Sequence, residues 1–209
     1  MTIHEVAVGL GYLGATLGVV MVVPQIVRIV RHPRLAGVSP LSWALTTMAC
    51  MNWLIYGVRT HAAPQIPGNV LLVTGAVVVV LLVHHPVSRL RRAAMLGATA
   101  AVLMTIAFLL PADLVGYFAF SIGLFSGLPQ LADSIANWRG HVNSGVSVSA
   151  WTLRIASQSC WLAYAVGTAD LAVGISACVV LSTAIAMVVL EVSARSAALA
   201  LSGEAEAAA

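Results

Sequence analysis

Two apolar segments of the chain end in the same dipeptide, and this repetition constrains the fold more than any other feature. Pro24-Gln25 ends the first segment and Pro129-Gln130 ends the second, and each dipeptide precedes a short basic loop. A proline inside a helix removes one backbone hydrogen bond and bends the helix. We therefore predict two equivalent bent helices, in which these prolines and glutamines form hinges.

The repetition extends over most of each half of the chain. One spacing separates the matched residues before the basic loop, and a slightly larger spacing separates those after it. The matched pairs are Gly11-Tyr12 with Gly116-Tyr117, Gly18 with Gly123, Gly37-Val38-Ser39 with Gly145-Val146-Ser147, Trp43 with Trp151, Trp53 with Trp161, and Tyr56 with Tyr164. Agreement at so many uncommon residue types predicts two copies of one structural unit. Gly11, Gly14 and Gly18 in the first copy, and Gly116, Gly123 and Gly127 in the second, also predict seams at which helices approach closely.

The composition requires lipid around the chain. It is 60% hydrophobic and 8% charged, with a mean hydropathy of +0.99, whereas a soluble domain carries about 25% charged residues. An apolar helix of about 20 residues crosses a bilayer. We therefore predict an all-α integral membrane protein with seven transmembrane helices. The predicted spans are Val6–Val30, Pro40–Val58, Ile66–Val83, Ala93–Pro111, Asp113–Ala136, Ser147–Val166 and Ala169–Val192.

The basic residues predict the orientation. All ten are arginines, and all except Arg59 and Arg154 fall on one side of the predicted spans. Because arginine-rich loops stay cytoplasmic, the N-terminus is predicted outside and the C-terminus in the cytoplasm. The absence of lysine excludes a retinal Schiff base. A composition rich in arginine, alanine, valine and glycine favours a bacterial cytoplasmic (inner) membrane.

Each copy of the repeat contains three predicted spans, so a second copy with the same orientation needs one extra crossing. Ala93–Pro111 supplies it, because this span has no counterpart in either copy. We predict a 3+1+3 arrangement of parallel halves related by a twofold axis along the membrane normal. The predicted units are residues 1–85 for the first repeat, 86–111 for the linker helix, 112–192 for the second repeat and 193–209 for a cytoplasmic tail.

Two equivalent tryptophans mark a candidate solute site. Trp53 and Trp161 lie well inside their spans, whereas membrane tryptophans concentrate at the interfaces. They are predicted either to stack on a sugar ring or to fill space between helices. Polar groups inside a membrane tend to face its protein interior. The polar residues predicted to lie near the tryptophans are Asn52, Asn69, Ser157, Gln158, Ser159 and Ser176. They suit a neutral polyhydroxy solute better than an ion.

Three charged residues suggest a gate on the predicted cytoplasmic side. Arg28 follows Pro24 by about one helical turn, and Asp133 follows Pro129 in the same way, so opposite charges occupy equivalent positions in the two halves. They are predicted either to bridge the halves or to be solvated at the helix ends. Arg154 lies inside the sixth span, where a charge usually faces a partner or a cavity, and Asp133 is its predicted partner.

No catalytic motif accompanies these residues. The sequence contains no HExxH, GxSxG or glycine-rich phosphate loop, and Cys50, Cys160 and Cys178 form no CxxC pair. We therefore predict a protein that is not an enzyme and binds no metal or cofactor. Its predicted partners are a small-molecule solute and the lipid bilayer, with no nucleic acid, and a homo-oligomer is left open.

The doubled Pro-Gln with paired Trp-x-x-Tyr resembles the PQ-loop repeat superfamily over about residues 6–192. The 3+1+3 plan resembles the two-repeat SWEET sugar transporters, and each half resembles a bacterial SemiSWEET. The resemblance implies alternating access, a sugar pocket walled by Trp53 and Trp161 with Asn69 beside them, and an outer gate that includes Asp170. We place Tyr56 and Tyr164 at the same outer gate.

Departures from the SWEET pattern leave the substrate open. The second pocket asparagine falls on Ala177, and the prolines that open the second and sixth helices fall on Ser42 and Ala150. The sequence also resembles cystinosin-like proton-coupled amino-acid exporters, in which Asp133 or Asp170 would be the proton site. We expect a transporter of a small neutral solute, a sugar first. A proton-coupled exporter of an amino acid or other metabolite and a non-transporting receptor or scaffold are the alternatives.

Overall fold

The computed structural model describes residues 1–31, 40–82, 86–140 and 148–207, and these ranges contain seven α-helices and no strand. The helices are α1 (Ile3–Arg31), α2 (Pro40–Arg59), α3 (Gln65–Leu82), α4 (Arg89–Leu109), α5 (Ala112–Arg139), α6 (Val148–Thr168) and α7 (Leu171–Ala207). Within the helices, the description excludes the side chains of residues 24–26, 28–30, 40–42, 126, 127, 129, 130, 133, 137 and 198–207.

The all-α prediction is confirmed. Each predicted span coincides with one helix to within about one helical turn, except that α7 continues to Ala207. In the described ranges, four stretches are long and apolar enough to cross a membrane: Ile3–Val23, Gln65–Leu82, Arg89–Leu109 and Leu171–Ala197. The helix α6 is not among them, because Arg154 and several polar residues lower its hydropathy. That all seven helices cross the membrane remains a prediction.

Six of the helices form a closed ring. The helix α3 packs between α1 and α2, α7 packs between α5 and α6, and the ring closes through contacts of α1 with α6 and of α2 with α5. Exchanging α1, α2 and α3 for α5, α6 and α7 leaves these contacts unchanged, as two copies of one unit would require. In this ring α2 lies opposite α6. The helix α4 lies outside the ring, against α2, α3 and α5.

The α2–α3 and α6–α7 connections are built alike. His61 and Ala169 occupy equivalent positions and have positive φ angles of 58° and 56°. The next amide in each connection donates to a carbonyl five residues back, from Ala62 to Gly57 and from Asp170 to Ala165, each at 2.9 Å. This is the hydrogen bond of a Schellman helix end. The duplication therefore extends to the backbone of the turns.

Two arginines fix the ends of α4. Arg92, in its first turn, donates to the carbonyls of Val80 and Leu81 at the end of α3. At the other end, Arg59 of α2 donates to the carbonyl oxygens of Ala107 and Leu110, at 2.6 and 2.8 Å. The last carbonyls of a helix lack helical partners and carry partial negative charge, so a guanidinium stabilises them. Arg92 therefore holds the start of α4 against α3, and Arg59 holds the end of α4, next to α5, against α2.

Candidate functional site

The two halves meet at two helix contacts, α1 with α6 and α2 with α5, and glycines lie at both. We call these contacts the α1/α6 seam and the α2/α5 seam. In the α1/α6 seam, a Cβ atom added at Gly11 would lie 2.7 Å from Cδ2 of Tyr164. In the α2/α5 seam, a Cβ added at Gly116 would lie 3.0 Å from Cε2 of Tyr56 and 2.6 Å from Cβ of Ala172. Each tyrosine therefore lies against a glycine of the other half. The predicted close approach of helices at these glycines is confirmed.

Both seams loosen along their length. In the α1/α6 seam the nearest approach to an added Cβ grows from 2.7 Å at Gly11 to 3.2 Å at Gly14 and 3.7 Å at Gly18. In the α2/α5 seam the nearest atom of α2 lies 3.0 Å from an added Cβ at Gly116 and 3.8 Å from one at Gly123. Helix contacts are thus tightest at the end of the ring that holds the two tyrosines, the 60–64 and 169–170 connections and the start of α1. We call this the tyrosine end.

A buried cluster fills the tyrosine end. Tyr56 and Tyr164 are only 5% and 4% exposed, and each packs edge to face on the tryptophan three residues before it. The ring centroids are 5.6 Å apart for Trp53 and Tyr56 and 5.5 Å apart for Trp161 and Tyr164. The buried members of the cluster come from both halves and from α4: Ile55, Tyr56, Ala107, Val115, Tyr164, Ala165, Ala172 and Val173. The tryptophans lie half-buried on the inner side of this cluster.

A hydrogen bond joins the halves at the tyrosine end. The hydroxyl of Tyr56 donates to Oδ1 of Asp170 at 2.7 Å, and the same oxygen accepts the Val173 amide at 3.0 Å. Asp170 therefore caps the start of α7 while it holds α2. The residue equivalent to Asp170 in the first half is Ala62, which offers Tyr164 no carboxylate. The predicted outer-gate residues Tyr56, Tyr164 and Asp170 thus lie together, but only one of the two tyrosines has an acid partner.

The predicted asparagines are engaged within their own helices. Nδ2 of Asn69 donates to the carbonyl and the side-chain oxygen of Gln65, at 2.7 and 3.3 Å. Nδ2 of Asn52 donates to the Met48 carbonyl at 2.8 Å, and Asn52 is 1% exposed. These bonds satisfy donors that a membrane interior would otherwise leave unpaired. Their role in solute binding remains a prediction.

The two predicted serines differ in their surroundings. Ser157 is buried, and its hydroxyl donates to the Gly14 carbonyl at 2.8 Å across the α1/α6 seam. Ser176 is partly buried in α7. Ser157 therefore has a clear structural partner, whereas no contact of Ser176 bears on its predicted role.

Arg154 lies about two helical turns before Trp161 and therefore on the same face of α6. Its guanidinium carbon is 5.4 Å from the ring centroid of Trp151, one turn earlier on the same helix. Its Nε atom is buried and has no hydrogen-bond partner among the described side chains. Asp133, its predicted partner, lies outside those side chains, and α5 does not border α6 in the ring.

The hinge residues can be placed only by their backbone. The helices α1 and α5 continue through Pro24 and Pro129 to Arg31 and Arg139. The side chains of Pro24, Gln25, Arg28, Pro129, Gln130 and Asp133 lie outside the described residues. The hinge and the Arg28–Asp133 gate therefore remain predictions.

The sequence reasoning missed a polar contact between α5 and α7. The hydroxyl of Ser134 donates to Oε1 of Glu191 at 2.9 Å, and both residues are 2% exposed. Glu191 falls near the end of the predicted span Ala169–Val192, where a carboxylate is ordinarily solvated. A glutamate next to a long apolar run indicates a buried polar contact, but the sequence does not show which face of α7 lies against α5.

Comparison with known protein families gives a match to part of the chain. The family model of the PQ loop repeat matches residues 6–66, which cover most of α1, all of α2 and the start of α3. No curated protein matches the chain. The match supports assignment to the PQ-loop superfamily, which includes membrane transporters and exporters. Together with the apolar helices, it identifies a multi-pass membrane protein.

Proposed function

We propose that the protein is a transporter that moves a small polar solute by alternating access between two three-helix halves. The observation that carries this proposal is the exchange symmetry of the ring, in which α2 and α6 face each other and bear the paired tryptophans. Membrane proteins built from two repeats commonly bind solute at the interface of the repeats. In this proposal α4 is the linker of the 3+1+3 arrangement.

The tyrosine end is the closed gate in this proposal. Tight packing at Gly11 and Gly116, the buried cluster and the Tyr56–Asp170 bond all lie there, while both seams loosen away from it. With the predicted orientation in a bacterial cytoplasmic membrane, this gate faces outward. Opening it separates Tyr56 from Asp170 and moves each tyrosine off its glycine. Proline hinges in α1 and α5 would open the other end.

The solute binds inside the closed gate, between Trp53 and Trp161. Both indole rings are half-buried, and each forms an edge-to-face pair with a gate tyrosine. Movement of the gate tyrosines would therefore also move the two indoles that line the site. Indole faces pack well on the apolar faces of sugar rings, which makes a monosaccharide-sized solute the first class to test. Gln158, one turn from Trp161 on α6, adds a polar group.

Proton-coupled transport is the second candidate, and Asp170 is the observation that favours it. Its carboxylate joins the halves at the proposed gate, so protonation changes the charge of the group that Tyr56 contacts. A coupled transporter would accumulate solute under a pH gradient, and Asp170→Asn would abolish that dependence while leaving counterflow. A uniporter would run equally well without a gradient.

The test is counterflow in proteoliposomes loaded with a panel of sugars and amino acids, with and without a pH gradient. We expect flux of at least one solute, and loss of most of it in Trp53→Ala and Trp161→Ala. Trp138→Ala is the matched control, because Trp138 is exposed near the end of α5, away from the tyrosine end. Absence of flux for every solute in correctly inserted wild-type protein would instead favour a receptor or scaffold.

A further inference from the structure

Arg154 lies on the same face of α6 as Trp161, because it precedes Trp161 by seven residues, or about two helical turns. Trp161 faces the α1/α6 seam, where its Cδ1 atom would lie 3.2 Å from a Cβ added at Gly14. The ring order makes α2 the helix opposite α6, and the backbones of the two do not pack together. Trp161 follows Arg154 by two turns of α6, about 10 Å at 1.5 Å per residue. Arg154 thus lies on the solute path, on the far side of the tryptophans from the tyrosine end.

The described part of the chain provides no anion to neutralise this charge. Its carboxylates are those of Glu5, Asp113, Asp170 and Glu191, and the carboxylate of Glu5 lies 3.9 Å from the N-terminal amine. Asp170 is bonded at the tyrosine end and Glu191 to Ser134 of α5. In these ranges Arg154 lies against the aromatic face of Trp151, which does not replace the hydrogen bonds of a guanidinium. Its buried Nε has no acceptor there.

The repeat shows that the fold itself does not require this charge. The equivalent position in α2 is Thr46, so one half of the ring carries a neutral residue where the other carries an arginine. A charge in a membrane interior is unfavourable and usually serves a pathway or a bound ion. A guanidinium presents a planar set of donors that matches a carboxylate in two hydrogen bonds.

We infer that Arg154 binds a carboxylate of the transported solute, so that the solute is a small organic acid whose polar body packs between Trp53 and Trp161. This inference rests on the proposed transport function and names its substrate class. The distance of about 10 Å between Arg154 and Trp161 along α6 suits a sugar acid, with the ring at the tryptophans and the carboxylate at the arginine.

Matched pairs of solutes test the inference in phosphatidylcholine vesicles, which contain no anionic lipid. The pairs are D-glucuronate with D-glucose and D-gluconate with D-sorbitol. We expect the acid of a pair to exchange faster than its neutral partner in wild-type protein. Arg154→Gln should reduce exchange of the acid by about tenfold or more, since a hydrogen bond to a charged group contributes at least that factor. It should leave exchange of the neutral partner nearly unchanged.

Three variants separate a binding role from a structural one. Arg154→Lys keeps the charge and should retain part of the preference for the acid. Arg139→Gln removes an equal charge from an exposed position at the end of α5 and should change nothing. Asp133→Asn should also preserve the preference. If Asp133→Asn changes it as much as Arg154→Gln does, Asp133 rather than the solute neutralises Arg154, and the inference is wrong.

A binding measurement distinguishes failure of this inference from failure of the transport proposal. Trp53 and Trp161 flank the proposed solute and Trp151 lies against Arg154, so titration with glucuronate or gluconate should change tryptophan fluorescence in wild-type protein and not in Arg154→Gln. Equal exchange of acid and neutral solute, unaffected by Arg154→Gln, overturns the carboxylate site while transport stands. No exchange together with an acid-specific fluorescence response overturns transport alone. Neither exchange nor response overturns both.

Discussion

The α1/α6 and α2/α5 seams have the same geometry but different chemistry. Both are tightest at the tyrosine end and loosen toward Gly18 and Gly123. In the α1/α6 seam, however, the hydroxyl of Ser157 donates to the Gly14 carbonyl. The counterpart of Ser157 is Ala49, which has no hydroxyl to donate. Duplication thus preserved the shape of the contact, while substitution left a hydrogen bond in only one copy.

At the tyrosine end the polar contact is on the other side of the ring. There the α2/α5 side has the polar contact, because Tyr56 donates to Asp170. The counterpart tyrosine, Tyr164, faces a connection in which Ala62 replaces the acid. Each side of the ring therefore has one polar contact between the halves that the other side lacks, and the two contacts lie at different depths. We expect the two halves to open asymmetrically, with the α2/α5 side resisting at the gate and the α1/α6 side resisting deeper in the ring.

The largest effect is expected from filling the tight end of either seam. Gly116→Ala places a Cβ 2.6 Å from that of Ala172, and Gly11→Ala places one 2.7 Å from the ring of Tyr164. Both contacts are too short, so helices must separate, which lowers the free energy of unfolding by about 1–3 kcal/mol. Thermal unfolding in detergent measures the loss.

Matched controls lie in the same seams. An added Cβ at Gly18 or Gly123 meets its nearest neighbour at an ordinary 3.7 or 3.8 Å. Alanine at either position should therefore be neutral or slightly stabilising, because alanine favours helix more than glycine does. If all four variants lose equal stability, the seams do not loosen away from the tyrosine end and the assignment of the closed gate is wrong.

The next effect concerns the bond between Tyr56 and Asp170. Tyr56→Phe removes a hydrogen bond to a charged group, worth about 1.5–3 kcal/mol, while keeping the aromatic packing on Trp53. Hydrogen exchange at residues 169–173 should accelerate, since the carboxylate that caps α7 loses its anchor on α2. Tyr164→Phe is the control and should change exchange at these residues far less. If Tyr56→Phe and Tyr164→Phe accelerate hydrogen exchange equally, the two tyrosines contribute equally to the gate and the predicted asymmetry is wrong.

The helices, the repeat and the glycine seams were predictable because each follows from local spacing. Apolar run lengths fix the seven helices, and glycine spacing fixes which face of α1 or α5 can approach another helix. The gate tyrosines recur at equivalent positions for the same reason, whereas Asp170, whose counterpart is Ala62, was expected at the outer gate only from the family resemblance. Their role as a gate remains part of the proposal.

Contacts that depend on the order of helices in the ring were not predictable. The sequence does not show that α6 lies between α1 and α7 and opposite α2, and the predicted pairing of Arg154 with Asp133 stays a prediction because the side chain of Asp133 lies outside the described residues. The capping of α4 by Arg59 and the Ser134–Glu191 contact likewise need the rotation of each helix. Asn69 shows a further limit, because the sequence does not reveal that its amide donates to a carbonyl of its own helix. Composition alone cannot distinguish these outcomes.

The smallest effect is expected from exchanging the deeper contact between the seams. Ser157→Ala removes a buried hydrogen bond worth about 1 kcal/mol and makes the α1/α6 seam resemble its counterpart. Ala49→Ser introduces a hydroxyl at the equivalent place in the α2/α5 seam, where Gly123 lies at van der Waals distance. We expect Ser157→Ala to lower the thermal midpoint slightly and to speed counterflow, because the α1/α6 side then slides more freely. Ala49→Ser should slow it. Should Ser157→Ala slow counterflow without changing the thermal midpoint, Ser157 acts on the solute rather than on the seam.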